Sequence, residues 1–171
     1  MTTREWTYQL TALKDRLFRF AQRIVGDREL AEDVVQEVVI KVWTGRDEQQ
    51  PHNLEAYCMR LTKNLSIDKT RSKHFQHRSL EGTTEWLQSG HNPHDQAEQN
   101  DMLQHVERLM QRLPQKQQLV LQLRDVEGMS YQEIGQALEL SPSDVKVTLF
   151  RARKTLREQL INLQAYGLSN D

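Results

Sequence analysis

The stretch "GMSYQEIGQALELSPSDVKVTLFRARKTLREQL", residues 128–160, contains two helix starts eleven residues apart. Ser130 followed by Glu133 is a capping-box pattern: the hydroxyl accepts an otherwise unpaired N–H and the carboxylate reaches back to the cap. Ser141 repeats it, with Pro142 at the first helical position and Asp144 in the box position. The first helix buries Ile134 and Leu138, and Gly135 leaves room for the second to cross closely. Val145, Leu149, Ala152, Leu156 and Leu160 give the second helix one apolar side. Glu139 stands where such turns often place Gly in a left-handed conformation, at a cost of about 1 kcal/mol. Two helices joined by a turn of about three residues, the second one basic, read as a helix-turn-helix.

In such a unit the second helix enters the major groove by its N-terminal half. Lys146, Val147, Phe150 and Arg151 lie on or near its exposed side and can reach base edges. Arg153, Lys154 and Arg157 sit further back, where phosphates are the natural partners. The plain alternative is a solvated cationic face on an ordinary helical hairpin.

The rest of the chain is not basic. Its 171 residues carry 23 Lys and Arg against 24 Asp and Glu, and the signs are segregated. Asp27, Glu29, Glu32, Asp33 and Glu37 make one acidic block, interrupted by Arg28. Arg60, Lys63, Lys69, Arg71, Lys73 and Arg78 make a basic block around Asp68. Residues 79–101 are acidic and polar again. Such alternation predicts separate surfaces for separate partners. A single Cys58 excludes an internal disulfide and points to a reducing compartment. No apolar run approaches membrane-spanning length and no signal-peptide core opens the chain, so a cytoplasmic location without membrane insertion is expected.

Leu10, Leu13, Leu17, Phe18, Ala21 and Ile24 form a helical stripe between Trp6 and Val25, with Gly26 to close it and Asp27 to cap the next helix. "AEDVVQEVVIKVW" is ambiguous, because six β-branched residues in nine suit a strand. The fourfold spacing of Leu30, Val34, Val38 and Val42 and an acidic first turn favour a helix. After a loop over Thr44–Asn53, a third helix takes Leu54, Tyr57, Cys58, Leu61, Leu65 and Ile67 as its apolar positions; Tyr57 and Trp43 read as core. Periodicity resumes at Leu103, Val106, Leu109, Met110 and Leu113, breaks at Pro114, and returns at Leu119, Val120 and Leu123. The expected architecture is all-α: two small helical domains, residues 1–78 and 102–171, joined by a flexible polar linker, 79–101. In or beside the linker, His74 with His77 and His91 with His94 form H-x-x-H pairs, too few ligands for a zinc site. Cys58 reads as a small buried hydrophobe. No cofactor, metal or catalytic constellation is expected.

At these residues the chain resembles bacterial sigma-70 type initiation factors of the extracytoplasmic-function (ECF) class. "LPQKQQLVLQLRDVEGMSYQEIGQALELSPSDVKVTLFRARKTLRE" looks like that class's fourth conserved region. "GDRELAEDVVQEVVIKVW" is similar to the polymerase-clamp segment, and "NLEAYCMRLTKNLSIDKTRSK" to the segment that opens and reads the −10 element. The resemblance implies an adaptor that makes core RNA polymerase promoter-specific, with the largest-subunit coiled coil and the flap as docking points. It places Asp33, Gln36 and Glu37 on the polymerase face. Lys63, Asn64, Lys69, Arg71 and Lys73 fall on the −10 face, with the Thr44–Asn53 loop bordering a pocket for an extruded base. Arg124, Ser143, Lys146, Val147, Phe150, Arg151, Arg153 and Lys154 fall on the −35 face, where Val147 and Asp144 depart from the commoner small or hydroxyl residues. It implies promoter DNA and an anti-sigma protein as further partners, and lets the acidic linker residues Glu81, Glu85, Asp95 and Glu98 mimic nucleic acid near the RNA exit path. The readings in competition are a conventional helix-turn-helix regulator with an N-terminal sensory or dimerising domain, and a helical protein–protein module that binds no DNA.

Overall fold

A computed structural model describes the backbone of residues 1–80 and 101–168, with side chains for 1–73 and 101–165. All regular structure among the described residues is helical, and the chain divides into two compact units. The first is built on α1 (Thr3–Val25), α2 (Arg28–Gly45) and α3 (Leu54–Leu80). The second carries α4 (Asp101–Arg112), α5 (Gln115–Leu121), a π-helical turn (Gln122–Val126), α6 (Tyr131–Leu138) as far as Gly135, and α7 (Pro142–Leu168). Helix α3 continues two residues into the expected linker and α4 begins at its last residue. Glu81, Glu85, Trp86, Leu87, His91, His94, Asp95 and Glu98 lie outside the described residues, as do the side chains of His74 and His77.

In the first unit α1 packs on α2 and α3, and α2 packs on α3. Helix α1 starts earlier than its apolar stripe suggests, because Thr2 and Glu5 make a capping box: the Glu5 N–H donates to Thr2 Oγ1 at 3.2 Å and the Thr2 N–H to Glu5 Oε2 at 2.6 Å. The Thr2 N–H, and after it the Thr2 hydroxyl, hold the Glu5 carboxyl below its ordinary range. Gly26 ends α1 at φ 68°, and Asp27 caps α2 by accepting the Leu30 N–H at 3.1 Å. The valine-rich run is helix: Val34, Val38 and Val42 fall on its buried side with Ala31 and Val35. Spacing outweighs strand propensity because one buried face satisfies a helix here, whereas a strand would have left alternate valines in water.

Helix α3 departs from expectation. Its buried positions are Ala56, Cys58, Met59, Thr62 and Ser66, while Leu54, Leu61, Leu65 and Ile67 are half-buried. Thr62 can lie inside because the helix offers its hydroxyl a carbonyl: Thr62 Oγ1 donates to the Cys58 carbonyl at 2.8 Å. Burial pushes the Cys58 thiol up to about 12, so it stays protonated at neutral pH. A disulfide reagent such as DTNB should therefore react with Cys58 only after denaturation; rapid labelling of the folded chain would contradict this placement.

In the second unit α7 packs on α5 and α4, with α5 also against the π-helical turn. Val145, Leu149 and Ala152 of α7 are buried, as are Leu119, Val120, Leu121 and Leu123. Pro114 separates α4 from α5 as its ring requires. The π turn is new: the Glu127 N–H reaches back five residues to the Gln122 carbonyl at 3.0 Å, and Gly128 closes it at φ 71°.

Both caps of the helix-turn-helix form as expected. The Ser130 N–H donates to Glu133 Oε2 at 2.8 Å and the Glu133 N–H to Ser130 Oγ at 3.1 Å. The Asp144 N–H donates to Ser141 Oγ at 3.1 Å. Glu139 adopts φ 60°, and the Leu140 N–H closes on the Gly135 carbonyl at 2.9 Å, the six-to-one bond of a Schellman ending. Gly135 serves this turn, not a helix crossing: a Cβ there would lie 2.6 Å from the Leu140 carbonyl oxygen. Replacing Glu139 by Gly removes the left-handed penalty and should raise stability by about 0.5–1 kcal/mol; a lower melting temperature would contradict it.

Candidate functional site

Helix α2 turns its apolar stripe inward and leaves Glu29, Glu32, Asp33 and Gln36 exposed. Ile40 shares that side and is 61% exposed. Glu37 stands at its border, half-buried, with Lys69 Nζ at 3.3 Å and Lys41 Nζ at 4.0 Å. Asp27 similarly meets Lys73 at 3.3 Å. Its carboxyl is held below the usual range, first by the Leu30 N–H and then by Lys73. The acidic helix and the basic helix, separate blocks in the sequence, thus meet along one seam.

On α3, Lys63, Lys69 and Lys73 are half-buried, while Asn64 and Arg71 are exposed. Solvent-facing pairs of the Glu37–Lys69 kind contribute about 0–1 kcal/mol, so Lys69 and Lys73 can exchange one anionic partner for another at little cost. The Thr44–Asn53 loop begins two residues late, since α2 runs through Gly45. The aromatics at its edges are not core. Trp43 is half-buried with the Arg46 guanidinium 4.4 Å from its ring centroid, and Tyr57 is half-buried with Arg60 at 5.5 Å. Tyr57 donates its hydroxyl to Gln49. Both rings sit at helix ends, where a loop cannot cover a whole indole or phenol. Their i+3 arginines were the sequence signal for this arrangement.

On α7, Ser143, Lys146, Val147, Phe150, Arg151 and Lys154 are exposed, as the helical spacing requires. A shallow groove runs beside them, bordered by Tyr131, Lys146, Phe150, Arg153, Lys154 and Arg157. Two expected DNA contacts are engaged within the unit. Arg153 is paired with Asp125, through Nε to Oδ2 at 3.2 Å and a second, shorter contact, and this pairing raises its pKa. Arg124 donates to the Met129 carbonyl at 2.8 Å, and its guanidinium lies 4.9 Å from the Tyr131 ring centroid. Arg124 therefore braces the approach to α6, and Arg153 ties α7 to the π-helical turn.

Both units have counterparts among known proteins. Residues 10–75 match the family model for Sigma-70 region 2, and residues 103–156 that for Sigma-70, region 4. The RNA polymerase sigma-E factor of Streptomyces coelicolor is 35% identical over 168 residues, covering 92% of this chain and 88% of that protein. ECF RNA polymerase sigma factor SigW of Bacillus subtilis is 28% identical, covering 88% of this chain and 86% of its own length. ECF RNA polymerase sigma factor SigE of Mycolicibacterium smegmatis is 28% identical across 91% of this chain, which spans 61% of that longer protein. In fold, the chain is similar to the sigma factor RpoE of Bartonella quintana, solved with the anti-sigma factor NepR, at a TM-score of 0.75 and 21% identity over 92% of this chain and 98% of that one.

Proposed function

Because the chain belongs to the sigma-70 family, of the ECF type, we propose that it docks on core RNA polymerase through α2 and delivers it to promoters through α3 and α7. The observation that carries this reading is the segregation of charge by helix: exposed carboxylates on α2, exposed cations on α7. An acidic face suits a basic coiled coil of the largest polymerase subunit, where complementary charge gives orientation and encounter rate more than raw affinity. Asp33, Gln36 and Glu37 are its contact residues.

Lys63, Asn64, Lys69, Arg71 and Lys73 supply the cationic track for the opened −10 strand. Trp43 and Tyr57, half-buried beside the Thr44–Asn53 loop, add the stacking surfaces that single-stranded nucleic acid favours. Ser143, Lys146, Val147, Phe150, Arg151 and Lys154 address the −35 duplex. Arg124 and Arg153 act by positioning, with Arg153 able to trade Asp125 for a phosphate. The likeness to a sigma factor solved with an anti-sigma protein supports an inhibitory partner of that kind. Transcription sets the cytoplasm as the place of action, and no described helix is long and apolar enough to cross a membrane.

Reconstituted transcription tests the reading. Core polymerase, the chain and fragmented DNA from the source genome should yield discrete transcript starts that depend on the chain. An unchanged background of core-only transcripts would overturn it. A conventional regulator is not favoured, since the first unit matches region 2 instead of a sensory domain.

A further inference from the structure

We infer that Val147 and Phe150 form an apolar pair that selects thymine in the −35 duplex by contact with its C5-methyl group. This rests on the −35 reading above and adds the chemistry by which one base is chosen. The two side chains are three residues apart, hence neighbours on the same side of α7. Val147 is 46% exposed and Phe150 68%, while Val145, Leu149 and Ala152 take the opposite, buried side. Lys146, Arg151 and Lys154 are exposed around them, so the apolar patch sits inside a cationic rim. That rim suits a polyanion and disfavours an apolar protein groove.

On the major-groove edges of the four base pairs, the groups that neither donate nor accept are the thymine methyl and the much smaller C5–H of cytosine, so the methyl is the one sizeable apolar feature. Valine and phenylalanine can neither donate nor accept. Set against guanine, adenine or cytosine edges they displace water and leave a polar group without a partner, which is unfavourable. Set against a thymine methyl they bury apolar surface on both sides, worth roughly fourfold in affinity for each methyl covered. Lys146 and Arg151 then hold phosphates or purine acceptors to either side and fix the register.

The test uses holoenzyme assembled from core polymerase and the intact chain. Duplexes are first selected from a pool randomised over the −35 segment. The recovered duplexes are resynthesised with each thymine in turn replaced by deoxyuridine, which lacks only the methyl. At one or two positions the unmodified protein should bind the deoxyuridine duplex roughly fourfold more weakly. Val147→Ser and Phe150→Ser should each erase part of that difference, and Val147→Ile should keep it. Equal affinity for thymine and deoxyuridine at every position overturns the inference while leaving −35 recognition intact. Full discrimination retained in both Ser variants also overturns it, because groove shape would then be the reader. Failure to enrich any duplex would instead remove the −35 reading itself.

Discussion

Reversing Asp33 and Glu37 together to Lys should remove the chain from core RNA polymerase, lowering affinity by at least about a hundredfold, because like charges brought face to face cost several kcal/mol. Asp33 is fully on the surface of α2 and Glu37 at its border, so the helix and its Val34–Val38–Val42 stripe should survive. Glu37→Lys does place a cation against Lys69 and Lys41, now 3.3 Å and 4.0 Å from the carboxylate. Asp33→Lys with Glu37→Gln separates the two effects: it reverses one charge and neutralises the other without creating that repulsion, and should still weaken docking. Circular dichroism of each variant guards against misfolding. Core polymerase retained by the double reversal would show that α2 is not the docking face.

Gly135→Ala should be the most damaging single methyl addition in the second unit. The new Cβ would sit 2.6 Å from a backbone carbonyl oxygen, that of Leu140. A flexible side chain could swing aside, but this oxygen is fixed between Glu139 at φ 60° and the Ser141 cap. Relief requires opening the turn, and overpacking of this kind costs about 1–3 kcal/mol. The bond from the Leu140 N–H to the Gly135 carbonyl is the first casualty, and with it the angle at which α7 leaves α6. Hydrogen exchange should show residues 130–150 losing protection while residues 3–45 keep theirs. Uniform protection with unchanged −35 binding would mean that the turn is looser than its geometry indicates.

Features set by local chemistry could be read from the sequence. Ser130, Glu133, Ser141 and Pro142 act within one turn of themselves, so their residue types were enough to place α6, the turn and α7. The same holds for Gly26 and Asp27 between α1 and α2. The valine-rich helix was legible because its fourfold spacing persists through three turns.

What escaped the sequence depends on partners remote along the chain. The seam of Glu37 with Lys69 and Asp27 with Lys73 exists only once α2 lies beside α3. Thr62 looks like a surface residue until its bond to the Cys58 carbonyl shelters the hydroxyl. The π-helical turn has no residue-type marker of its own besides Gly128. The family resemblance put Arg124 among the DNA contacts, and charge and place along the helix put Arg153 there; only the fold reveals Met129, Tyr131 and Asp125 as their neighbours.

The division of labour between carboxylates and cations is tested most directly by two parallel titrations followed by fluorescence anisotropy: labelled chain with core polymerase, and labelled promoter duplex with the chain alone. Tight association with core polymerase is expected, beside weak duplex binding that falls steeply with salt because phosphate contacts dominate it. No association with core, together with tight binding of the lone chain to a palindromic duplex, would contradict the adaptor and establish a self-sufficient regulator in its place.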